Sequence, residues 1–112
     1  MIDKYTFGGT AASERLSILL NEKYYNYTTK VSRLYHGYTN SLNTIFTMWG
    51  SSNSFKDCGI EELLELHRNQ RIAIVDKSSI PTELKSYLKN VMLVSYRNKI
   101  FLIKSLIKLN EK

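Results

Sequence analysis

The run Ile72-Ala73-Ile74-Val75 narrows most sharply what this chain can become. Four consecutive apolar residues stand between Arg71 and Asp76. That pattern reads as a strand over residues 71–76 covered on both faces, the condition of a parallel strand inside an α/β sheet. A second run, Val91-Met92-Leu93-Val94, reads the same way over residues 91–96. Further strand candidates lie at residues 2–7, at residues 29–35 ended by His36-Gly37, and at residues 44–49 ended by Gly50. Between them fall amphipathic stretches. Over residues 11–23, Ala12, Leu16, Leu19 and Leu20 share one helical face. Over residues 60–69, Ile60, Leu63, Leu64 and His67 do so. The acids Glu61, Glu62 and Glu65 come early in that stretch and His67 and Arg68 late, as the helix dipole favours. Pro81 marks the first turn of another helix, with Leu84, Tyr87 and Leu88 inward. Residues 98–110 read as a helix with Ile100, Ile103 and Ile107 inward and Lys104, Lys108 and Lys112 outward. A hairpin in which residues 99–104 pair back on residues 91–96 is the competing reading.

Strands alternating with helices predict a Rossmann-like or flavodoxin-like α/β fold. The expectation is a single three-layer domain over residues 1–112 with a mostly parallel sheet. Ligands of such sheets bind at the carboxyl ends of the strands. That edge would gather Gly8, Gly9 and Thr10, the turn at residues 35–38, the loop at residues 50–54 and residues 76–79. Gly8-Gly9-Thr10 sits between a strand candidate and a helix, where glycine admits a phosphate to the backbone and the next helix offers free N–H groups. It is also what an ordinary strand-to-helix turn looks like, since the full G-x-G-x-x-G is not present. Ser13 and Arg15 follow in the first helical turns. Ser32 and Arg33 end the second strand candidate, where such folds select their ribose. An arginine there, with no acid between Lys23 and Asp57, favours NADP over NAD, although Arg33 is equally a solvated surface residue.

The order of these elements resembles the N-terminal half of the precorrin-6A reductases, NADPH-dependent enzymes of cobalamin biosynthesis. The resemblance is carried by Gly8-Gly9-Thr10-Ala11-Ala12-Ser13-Glu14-Arg15-Leu16, by Thr28-Thr29-Lys30-Val31-Ser32, by Phe46-Thr47-Met48-Trp49-Gly50, by Gly59-Ile60-Glu61-Glu62-Leu63-Leu64 and by Ile72-Ala73-Ile74-Val75-Asp76. It implies a cytoplasmic oxidoreductase, or its nucleotide-binding remnant, with a corrinoid substrate. NADP would be held at Gly8, Gly9, Thr10, Ser13, Ser32 and Arg33. The family's Asp-Ala-Thr-His-Pro motif has no histidine counterpart in Asp76-Lys77-Ser78-Ser79-Ile80-Pro81, so no catalytic residue is assigned.

Charge points to a second class. The chain carries a net +6, and from Lys85 onward seven basic residues face only Glu111. A basic surface attracts phosphates, and the alternative expectation is a small nucleic-acid-binding module of viral or mobile-element type. Arg97, Lys99, Lys104 and Lys108 would be its contacts; a solvated helix face reads the same way. Tyr24, Tyr25, Tyr27, Tyr35 and Tyr38 are candidate stacking residues or core. One cysteine, Cys58, excludes an internal disulfide, and no run of 18 apolar residues suits a membrane. The first residues show no apolar leader, which is expected of a cytoplasmic protein. His36 and His67, 31 residues apart, do not form a metal-site spacing. Asp76 reads as a substrate contact or, more commonly for such a position, a turn cap.

Overall fold

The structure, a computed structural model, describes residues 11–51 and 58–110. It overturns the α/β expectation. The described residues form four α-helices, α1 (Ala11–Glu22), α2 (Thr28–Ser51), α3 (Ile60–Lys77) and α4 (Thr82–Asn110), with a short 3₁₀ turn at Tyr25–Tyr27 and no strand. There is accordingly no Rossmann-like sheet and no sheet edge among them. The strand candidates at residues 29–35 and 44–49 are both part of α2. The one at 71–76 is the second half of α3, and the one at 91–96 is the middle of α4. The candidate at residues 2–7 lies outside the described residues. At residues 98–110 the helix is found and the hairpin is not.

The helices form because burial recurs at helical spacing across the supposed strand breaks. In α2, Val31, Tyr35, Tyr38, Leu42, Ile45 and Trp49 are four and three residues apart in turn and all face the core, the seam of a helix packed between helices. Gly37 interrupts nothing, because a single interior glycine costs only about 1 kcal/mol. The Ile72-Ala73-Ile74-Val75 run is covered on one side only. Val75 is buried and Ile72 half-buried, while Ala73 and Ile74 are exposed. In α4, Leu84, Leu88, Val91, Met92 and Ile103 are buried, with Tyr96, Ile100 and Ile107 packed beside them.

Where helices end, local chemistry explains it. Gly59 precedes α3 with φ +81, a left-handed conformation that glycine takes without strain. Pro81 forbids a continuous α3–α4 helix, because it lacks an N–H and drives Ile80 toward extended backbone. The Lys85 N–H donates to the Pro81 carbonyl at 3.0 Å and starts the next helix. Ile80, buried at the bend, plugs the junction.

Contacts give the topology. Lys89 pairs with Asp76 at one end of α3–α4 and Lys104 with Glu61 at the other, so these helices are antiparallel. Ser41 meets His67 and Gly37 lies against Arg71, so α2 and α3 are antiparallel too. Lys30 reaches Ser79, Tyr38 reaches Met92 and Lys99 covers Phe46, which sets α2 parallel to α4. α2, α3 and α4 thus run up, down and up. α1 packs chiefly on α4, with the Tyr24 hydroxyl donating to Glu83 at 2.9 Å. As the sequence predicted, α1 buries Leu16, Leu19 and Leu20. The assembly is a slab of 50 × 30 × 19 Å. Leu88 is wholly buried, so Leu88→Ala should lower the unfolding free energy by about 2–5 kcal/mol in urea titration, with a helical circular-dichroism spectrum retained.

Candidate functional site

Two polar assemblies stand out, one outside and one inside. The outer one lies on the C-terminal half of α4. Arg97, Phe101, Lys104 and Lys108 follow each other at intervals of four, three and four residues, so they share one helical stripe. All four are exposed, and the Phe101 ring is 74% accessible. Arg97 and Lys108 make no ion pair among the described residues. Lys104 lies 3.6 Å from Glu61, but both side chains are well exposed, and such pairs contribute about 0–1 kcal/mol. Lys104 can therefore exchange Glu61 for another anion at little expense. Lys99, the fourth basic residue expected at this surface, faces elsewhere. Its Nζ lies 4.5 Å from the centre of the Phe46 ring on α2. It also lines a cleft of ≈ 250 Å³ with Thr39, Asn43, Ser95 and Asn98.

The inner assembly is a polar seam between α2, α3 and α4. Tyr38 is fully buried and its hydroxyl donates to the Met92 carbonyl at 3.0 Å. Its ring stacks on His67, with centroids 5.4 Å apart. His67 Nε2 lies 2.7 Å from Ser41 Oγ, and that hydroxyl also reaches the Gly37 carbonyl at 2.7 Å. Arg71 lies across α2 at Gly37, where a Cβ would collide with its guanidinium. Arg68 covers the Tyr96 ring at 4.8 Å. His67 Nδ1, Arg68 Nε and Arg71 Nε are buried without hydrogen-bond partners. Burial, and then the Arg71 charge, hold the His67 imidazole below its usual pKa. Burial pushes the Tyr38 phenol well above its own. Ser41 and His67 are a hydroxyl–imidazole pair, yet no acidic group is hydrogen-bonded to Nδ1, so the orienting third member of a nucleophilic triad is not there among the described residues.

Of the residues expected to hold a dinucleotide, those that the structure describes lie on α1 and α2 and not at strand ends. Gly8, Gly9 and Thr10 lie outside the described residues. Ser13 is a buried residue of α1, its carbonyl accepting from Ser17 Oγ at 2.9 Å. Ser32 and Arg33 are neighbours on α2, Arg33 exposed. The gathering of these residues depended on strand ends, and the chain here is helical. Asp76 is part of α3 and pairs with Lys89 at 2.8 Å. Tyr35 and Tyr38 belong to the helix interior, whereas Tyr25 is 61% exposed. No three His, Cys, Asp or Glu side chains among the described residues come together as a metal site. Among the same residues, no helix is long and apolar enough to cross a membrane. Sequence reasoning missed Phe101 and the seam. The signals were present as the i+4 and i+3 spacing of Phe101 to Arg97 and Lys104, and as the four-three repeat of α2.

No family model, no curated protein and no solved structure matches the chain.

The seam makes a pH prediction. A histidine whose pKa is lower folded than unfolded stabilises the fold above the unfolded value of 6.5, and that stability is lost as pH falls through the folded value. The urea midpoint should therefore drop as pH falls from the usual histidine value toward the lower folded one. In His67→Asn the drop over that window should be smaller, because the lost group no longer takes up a proton on unfolding. Glu83, whose carboxyl is held below its usual range first by the Tyr24 hydroxyl, contributes only at more acidic pH.

Proposed function

We propose that the chain is a small basic helical module that binds single-stranded nucleic acid along the outer stripe of α4. The observation that carries this reading is the exposed Phe101 ring set between Arg97 and the pair Lys104 and Lys108. Cations that track a phosphate backbone, interrupted by an aromatic ring for an unstacked base, are the two parts of sequence-tolerant single-strand binding. A ring so exposed gains little from the core of the fold. The net charge of +6 adds long-range attraction for a polyanion.

Fluorescence anisotropy with a labelled oligothymidylate, an oligouridylate and a duplex of equal length tests this. Affinity for the single strands should exceed that for the duplex. It should fall with salt at a log–log slope of about −2, for three phosphates displaced at about −0.7 each. Phe101→Ala should weaken binding by about fivefold to a hundredfold with the slope unchanged. Lys108→Gln should flatten the slope by about 0.7. Absence of binding at low salt, or affinity indifferent to Phe101, would refute the reading.

A further inference from the structure

We propose that the outer face of α3 is the contact between two copies of this chain, with the two α3 helices antiparallel. α3 packs on α2 and α4 through Ile60, Leu64, Ile72 and Val75. A second apolar stripe flanks that packed side and faces solvent, starting at Leu63, which also borders an apolar cavity of ≈ 440 Å³ with Ile45, Met48 and Trp49 of α2. Leu63, Leu66 and Ile74 are 48%, 55% and 43% exposed. With exposed Gln70 between Leu66 and Ile74 they follow at intervals of three, four and four residues, one continuous stripe. A helix with one solvated side does not need that second stripe for its own fold.

Charge selects the occupant. The first half of α3 carries Glu61, Glu62 and Glu65, with only Lys104 drawn against them. Its end carries Lys77, and Lys85 and Lys89 converge on Asp76 there. Glu62, Glu65 and Lys77 are exposed and make no ion pair among the described residues. A second α3 laid antiparallel sets each acidic start against the partner's basic end and opposes the two helix dipoles. A parallel arrangement would face Glu62 and Glu65 with their own copies. Gln70 lies midway between Leu63 and Lys77, so it falls on the twofold axis, where its amide, donor and acceptor at once, meets its own copy. One self-complementary patch closing on itself is the geometry of a twofold dimer. A contact one helix wide buries less than the ~1,200–2,000 Å² of standard interfaces, so the dimer is weak and concentration-dependent.

Sedimentation velocity of the full chain from about 10 μM to about 1 mM tests this, with reductant present so that exposed Cys58 cannot cross-link. A reversible monomer–dimer equilibrium is expected. Leu66→Asp should raise the dimer dissociation constant about tenfold or more without changing the melting temperature of dilute monomer. Glu62→Lys and Lys77→Glu should each weaken association, and the two together in one chain should restore it. That rescue is specific to the antiparallel contact. A monomer throughout the range would overturn the proposal. So would a dimer indifferent to Leu66→Asp, or charge reversals whose combination fails to recover association.

Discussion

Among the described residues, every other α-helix depends on the apolar side of α4. α1, α2 and α3 each pack against it, and Leu84, Leu88, Met92 and Ile103 on that side are buried to within 2%. Each such side chain gains about 1.5–3 kcal/mol from leaving water. A 12-residue helix such as α1 is marginal by itself. It persists because Leu16, Leu19 and Leu20 have somewhere to go. The same holds for α3, whose middle carries arginines where a bundle helix usually carries leucines.

That dependence explains what was legible beforehand. α1 was, because its stripe and its boundaries are local. So was the start of α3. Pro81 was legible as a helix entry, although it stands just before α4 and not in its first turn, and at residues 98–110 the helix was one of two open readings. The fold class was not. Val31, Val75 and Val91 lie in short apolar or β-branched runs whose local preference is extended, and packing against neighbouring helices overrides such preferences. His36-Gly37 and Gly50 read as breaks, yet α2 continues through the first and includes the second. The useful clue was the longer one, the four-three repeat from Val31 to Trp49, which spans both supposed strands and the supposed turn between them. Three of the four α4 stripe residues, Arg97, Lys104 and Lys108, were legible as basic contacts, and Phe101 was not. The place of Lys99 was not, because its direction depends on where the Phe46 ring stands.

The polar seam has a structural consequence apart from any chemistry. Unpaired buried polar groups each cost about 1–3 kcal/mol, so His67 and Arg71 make the α2–α3 contact, and Arg68 the α3–α4 contact, weaker than an all-apolar one. They also make it particular. Slipping α3 by one turn along α2 would set His67 against the apolar Ile45, or, in the other direction, Arg71 against Arg33. The actual register gives the imidazole a hydroxyl and the guanidinium the one position in that part of α2 with no Cβ to meet it. Polar residues on a packed seam commonly fix register at some expense of stability.

Charge then divides the outside. Among the described residues α3 carries four acids, Glu61, Glu62, Glu65 and Asp76, whereas α4 carries only Glu83 against six lysines and arginines. The two helices touch at both ends through Lys104–Glu61 and Lys89–Asp76, so each sign partly screens the other at their boundary. Farther from it the fields separate, and exposed charges beyond about 8–10 Å act independently at physiological salt. A polyanion is therefore drawn to the Arg97–Phe101–Lys108 side and repelled from the first half of α3. A second copy meets the reverse situation, with an acidic segment, a basic segment and leucines between them. The two surfaces do not compete, because they occupy different helices. Two copies joined through α3 would present two α4 stripes on one particle, and a strand held by the first would be offered to the second at high effective concentration. Weak association through one face and modest affinity through the other would then reinforce each other.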